Sequence, residues 1–163
     1  PGKGGSGAGG NAPLRGSKGT MWEGGRRGPF IAWWPGHLPA GKVTDAFLTS
    51  LEFMPTLAAI AGAKPPPVPL DGFDMLPILK GAAPSPRDEM FWQRRGDRAA
   101  RVGQWKWLDS AKGAGLYDLA TDIGETKDLS AEKPDILARV KGRFDAWRRE
   151  MDAAEPRGPF RDY

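Results

Sequence analysis

The residues best suited to chemistry lie in a basic, glycine-rich segment. Arg15, Lys18, Arg26 and Arg27 are set among Gly16, Gly19, Gly24, Gly25 and Gly28. A lysine on such a loop is a compact positive charge beside backbone that a ligand can approach closely, which suits a tetrahedral oxyanion. The same residues also fit a solvated loop, and type and spacing leave both readings open. Residues 1–13 are richer still in glycine, but no strand precedes them and no GK[ST] follows at the spacing of a phosphate-binding loop.

Other chemistry has less to build on. His37 is the single histidine, in a Trp-Pro-Gly-His turn. It supplies neither a histidine-based triad nor a multi-histidine metal site and reads as a surface turn residue. The absence of cysteine excludes thiol nucleophiles, thiolate metal sites and disulfides. Asp71 and Asp74, then Asp118, Asp122 and Glu125, lack calcium-loop spacing; Asp71-Gly72 reads as a turn and Tyr117-Asp118 as the close of a strand. Trp92, Arg94, Trp105, Lys106 and Trp107 interleave aromatic and basic residues as a base-stacking surface would. Trp105 and Trp107 nevertheless alternate as core residues do, and the reading is no nucleic-acid partner.

The elements that must position these residues follow from composition and periodicity. The 163 residues suffice for about one domain. Gly 23 and Pro 16 argue for many turns and against long uninterrupted helices. The net charge of +4 is interspersed and permits, without demanding, an anionic partner. No apolar run approaches the about 20 residues that cross a bilayer, and no signal peptide is visible at Pro1. The start without Met, inside a glycine-rich stretch, suggests a truncated or processed N-terminus.

Pro29–Trp34 (PFIAWW) reads as a short buried strand. Thr49–Ala61 reads as a helix capped by Thr49 or Ser50, with Leu51, Met54, Leu57, Ala58 and Ala61 on one stripe and Gly62 ending it. Residues 63–71 form a proline-rich connector at a subdomain boundary. Leu70–Leu79 reads as a turn and a short helical segment. Strands are expected over 89–94, 98–102, 104–108 and 115–119. Their connections are too short for parallel crossovers, so the sheet is antiparallel. Trp105 and Trp107 against Lys106 show the alternation of a half-buried strand. Pro134 opens a last helix whose Leu137, Val140, Phe144, Trp147 and Met151 make one apolar stripe to lie on the sheet. Residues 155–163 read as loop.

Leu14–Gly36 (LRGSKGTMWEGGRRGPFIAWWPG) resembles the sulfatase signature LRGGKGTxxEGGxRxPxIxxWPG. Four further stretches resemble that family in the family's order. They are TSLEFMPTLAAIAG, LDGFDMLPILKG, RVGQWKWL (against R-x-G-x-WK) and LYDLATDIGETKDLSAEKPD (against LYDLxxDxxExxNL). The match runs from about Asn11 to Met151.

The resemblance implies an α/β fold of the alkaline-phosphatase superfamily, present here as a C-terminal fragment. Residues 1–65 would be the C-terminal edge of the catalytic domain. Residues 66–163 would be an α+β subdomain with a small antiparallel sheet and a terminal helix. It also implies hydrolysis of sulfate esters on a sulfated small molecule or carbohydrate. In that family a formylglycine hydrate attacks sulfur beside a divalent cation, usually Ca²⁺. Of these parts only Lys18 matches, in the implied role of binding a sulfate oxygen and stabilising developing charge. Arg27 and Glu23 match signature positions with an implied structural role.

No Cys/Ser-x-Pro-x-Arg motif occurs, and the Asp-Asn metal ligands of the family lie upstream of the matched region, so no catalytic residue and no metal ligand is assigned here. Glu52 and Asp128 stand where the family commonly has Asp and Asn. The chain alone is therefore expected to be inactive, with the rest of a sulfatase chain as its partner and a periplasmic or secreted setting suggested by the resemblance. Alternatives are a non-catalytic structural or interaction module and a related phosphodiesterase or phosphonate hydrolase. Residues 1–65 are expected to pack poorly alone and 85–151 to fold more readily.

Overall fold

The computed structural model describes residues 10–64 and 66–154. The glycines before residue 10 and the loop expected over 155–163 lie outside them. The chain forms two compact units. One gathers the described parts of Pro1–Gly28 and Glu89–Tyr163; the other is Pro29–Asp88. Long-range pairing explains the division, because the glycine-rich segment packs on a sheet that begins some 60 residues later.

That sheet is an antiparallel meander in the order β1 (Glu89–Arg94), β2 (Asp97–Val102), β3 (Trp105–Ser110), β4 (Gly113–Asp118). Each connection has two residues, the length of tight hairpin turns. Arg95 (φ 55°) and Gly103 (φ 58°) open the first two turns in the left-handed region that such turns require. The register places Trp92 opposite Ala99, Ala99 opposite Leu108, and Lys106 opposite Tyr117, so these side chains share a face.

The opposite face carries Ala100, Trp107 and Leu116 and is covered by Val140 and Phe144 of the last helix, α4 (Pro134–Ala153). Phe144 meets Trp107 edge-on at 5.3 Å, and Trp147 stacks on Phe91 at 5.5 Å. Burial of each such side chain stabilises by about 1.5–3 kcal/mol. The first face is not open to water. Met21 and Trp22 of the glycine-rich segment pack on Ala99, Leu108 and Tyr117, with Trp22 edge-on to Tyr117 at 5.5 Å. The half-buried strand expected at 104–108 is thus buried on both faces, and Lys106 is 0% exposed.

Helix α1 is the single turn Glu23–Arg26 of the first unit; in the second unit a 3-10 turn (Ser50–Glu52) leads into α2 (Phe53–Ile60), and α3 (Leu76–Leu79) follows. The expected cap at Thr49 is present. Its hydroxyl accepts from the Leu51 N–H at 3.2 Å and donates to the Glu52 carboxylate at 2.8 Å. Glu52 is fully buried and pairs with Arg87. The Thr56 hydroxyl donates to the Glu52 carbonyl (2.6 Å) and accepts from the Met75 N–H (2.8 Å), tying α2 to the start of α3.

Pro29–Trp34 forms no strand, and Ile31 (87%) and Trp33 (84%) are exposed. A strand needs a neighbour's ladder, and no described residue pairs with this run. The apolar stripe expected over this segment is likewise exposed, at Leu51 of the 3-10 turn and at Met54 and Leu57 of α2. Among the described residues no helix is long and apolar enough to cross a membrane.

Candidate sulfate-binding loop

Lys18 sits at the tip of a turn held by the Thr20 N–H and hydroxyl, which both donate to the Ser17 carbonyl (3.1 and 2.8 Å). Gly19 takes φ +85° there, a conformation L side chains rarely adopt. Behind the tip the chain folds back on itself. The Gly24 N–H donates to the Arg15 carbonyl at 2.8 Å, and the Asn11 amide donates to the carbonyls of Gly16 (2.9 Å) and Gly24 (3.1 Å). A Cβ on Gly25 would fall 2.4 Å from the Thr20 carbonyl oxygen and 2.6 Å from that of Ser17. The paired glycines after Glu23 are therefore needed for close backbone approach. Lys18 itself is exposed.

Beneath this loop lies a buried ion network. Lys106 Nζ stands 2.8 Å from Glu23 Oε1 and 2.8 Å from Glu125 Oε1, and no more than 3% of any of the three side chains is exposed. The Glu23 N–H donates to Glu125 Oε2 at 2.7 Å, and Arg27 Nε donates to Glu23 Oε2 at 2.6 Å. Arg15 lies 3.7 Å over the Trp22 ring and donates to the Glu125 carbonyl at 2.8 Å. Burial pushes the Glu23 carboxyl up, but Lys106 and Arg27 outweigh it and hold it below the usual range. Glu125 behaves oppositely. Burial pushes it up, the Glu23 charge adds to this, and Lys106 together with the Glu23 N–H offsets it only in part.

The network explains three charged letters of the sequence motifs at once. Glu23 belongs to the glycine-rich signature, Lys106 to the Trp-Lys strand and Glu125 to the segment after β4. Periodicity alone assigned Lys106 to solvent. The signal that pointed further was its place as a fixed letter in a motif, and the same holds for Glu125. Arg27 and Glu23 take the structural role that the resemblance implied.

The remaining candidates do not join the loop. His37 belongs to the second unit, where it stacks on Trp34 at 4.0 Å. Asp122 accepts from the Thr126 and Lys127 N–H groups (2.7 and 2.8 Å), and Asp128 from those of Leu116 and Ser130 (3.0 and 2.9 Å). Asp74 caps the Leu76 N–H and Asp118 the Ala120 N–H. These acids are spent on backbone N–H groups of the neighbouring turns and element ends. Among the described residues no three His, Asp or Glu side chains are grouped to hold a metal ion.

Comparison with known proteins bears on the same segment. The sulfatase family model matches residues 3–63. Human arylsulfatase A is 36% identical over 90% of this chain and 35% of its own length. A sulfatase of Formosa agariphila is 32% identical over 84% of this chain and 30% of its own length. The crystal structure of Ps i-CgsB in complex with k-i-k-neocarrahexaose superposes with a TM-score of 0.70 at 34% identity, over 83% of this chain and 32% of that one. The chain spans about a third of the length of these relatives. The signature loop, the motifs wired to it through Lys106 and the shared fold agree: the chain belongs to the sulfatase family.

Proposed function

We propose that the protein containing this chain hydrolyses sulfate esters and that Lys18 binds a sulfate oxygen there. The observation that carries the reading is the contrast between Lys18 and its surroundings. The loop below it is tied by glycine contacts and a buried ion network, while Lys18 is exposed at the tip with no carboxylate partner among the described residues. A fixed cation aimed at a tetrahedral anion stabilises charge that develops on the sulfuryl oxygens and the leaving oxygen.

The nucleophile and the ligands of a divalent cation, expected to be Ca²⁺, would come from the part of the protein outside this chain. The exposed apolar residues Ile31, Trp33 and Leu57 support such a neighbour, because apolar surface of that kind is ordinarily covered. A sulfated carbohydrate is the proposed substrate class, supported by the likeness to a structure holding neocarrahexaose.

The test is turnover of p-nitrophenyl sulfate with Ca²⁺ by the full protein that contains this chain. Lys18→Ala is expected to lower kcat/KM by about 10²–10³-fold. As the side chain is exposed, the melting temperature should stay within about a degree or two. Cleavage of a phosphodiester with no action on the sulfate ester would remove the sulfatase activity and favour a phosphodiesterase.

A further inference from the structure

Of the four cations in the basic segment, the fold uses two. Arg27 pairs with Glu23, and Arg15 is spread over Trp22 and bonded to the Glu125 carbonyl. Lys18 and Arg26 have no carboxylate partner among the described residues. Arg26 is half-buried, and its Nε is closed off from solvent with no acceptor. Its Nη2 touches the Met21 sulfur, a weak acceptor. The guanidinium lies 5.9 Å over the Trp92 ring.

Arg94 stands two residues beyond Trp92 on β1, on the same face. It is exposed, and its Nη1 reaches the Gly19 carbonyl at 3.4 Å, one peptide from Lys18. Burial, then the neighbouring Arg94 charge, pushes the Arg26 guanidinium below its ordinary value, and Asp97 offsets this only in part. Asp97 also accepts from the Ala111 N–H. Holding a half-buried guanidinium beside a second one, without a paired carboxylate, works against folding stability. Local conflict of this kind marks sites kept for a ligand.

We propose that Arg26 and Arg94 form an anion subsite beside Lys18, which takes a second sulfate of a multiply sulfated saccharide. The inference rests on the sulfate-ester reading and deepens it by narrowing the sulfated carbohydrate to one that carries a second sulfate. Two guanidinium groups side by side offer several N–H donors to the oxygens of one sulfate, which a single ammonium does not. The Trp92 face fixes Arg26 from below. Lys18 then meets the ester to be cleaved, and the arginines hold its neighbour on the sugar.

The test is isothermal titration of the full protein with sucrose octasulfate and with inorganic sulfate. Arg26→Gln with Arg94→Gln is expected to weaken sucrose octasulfate by about tenfold or more, and inorganic sulfate by a smaller factor. Arg94→Gln alone alters only an exposed side chain and should give a measurable part of the loss, which guards against a folding defect in the double variant. Arg139, an exposed cation on α4, is the control, and Arg139→Gln should change affinity less than about twofold. Equal affinity of the double variant and the parent would overturn the subsite, as would an equal loss on Arg139→Gln. A protein that turns over p-nitrophenyl sulfate yet binds sucrose octasulfate no more tightly than sulfate keeps the activity and loses the subsite. One that binds it through these arginines but cleaves no sulfate ester keeps the subsite and loses the activity.

Discussion

Replacing Lys106 tests whether the buried network fixes the loop that carries Lys18. Lys106→Met keeps most of the side-chain volume and deletes the charge. Glu23 retains Arg27, and Glu125 retains the Glu23 N–H, but the ammonium 2.8 Å from both carboxylates is gone. Removing one partner of a buried pair destabilises by about 3–5 kcal/mol, because it leaves the other charge buried and uncompensated.

The loss should depend on pH. Burial already pushes Glu125 above its ordinary value in the parent protein, and without Lys106 it rises further. A carboxyl raised in the folded state contributes stability that is full below its unfolded value and is lost as pH rises through the folded one. The variant is therefore closest to the parent near pH 4–5 and furthest from it at about pH 8. Urea unfolding followed by tryptophan fluorescence at the two pH values reads this directly, since Trp22 and Trp107 are buried beside the network and the helix. Adding Glu125→Gln should recover part of the loss by removing the stranded charge. A loss below about 1 kcal/mol, equal at both pH values and unchanged by the second substitution, would refute the coupling.

Three further outcomes are expected. Gly25→Ala places a Cβ against the Thr20 and Ser17 carbonyl oxygens and should destabilise by about 1–3 kcal/mol in thermal melts, with increased proteolysis between residues 15 and 28. Phe144→Ala empties the contact with Trp107 under α4 and should lower stability by about 3–5 kcal/mol in urea unfolding, releasing the helix to amide exchange. For Asp128, burial pushes its carboxyl up, but bonds from Ser130 and the Leu116 N–H outweigh it and hold it below its ordinary 3.8. Its contribution is present above that value and lost as pH falls through the folded one, so Asp128→Asn should flatten the acid limb of a stability-against-pH curve.

The sequence by itself determined the local parts of this protein. The short connections between the four strands fixed the sheet as antiparallel, because links of that length leave no room for a parallel crossover. The spacing of Val140, Phe144 and Trp147 fixed the face of α4, because helix periodicity is local. Thr49 with Glu52 fixed the start of the helical segment by a cap spanning four residues.

Tertiary structure alone decided what each face meets. Alternation put Trp107 and Lys106 on opposite sides of β3 correctly, yet which side faced water depended on Met21, Trp22 and Glu23, more than 80 residues earlier. Pro29–Trp34 has the composition of a strand, and composition states only that it favours burial; the ladder that would make it one must come from elsewhere. The same holds for function. Residue types could single out Lys18, Arg26 and Arg27 together, but only the folded chain shows that Arg27 is spent on Glu23 while Lys18 and Arg26 have no carboxylate partner among the described residues. Charge pairing is settled by distance in space, which the order of residues along the chain does not contain.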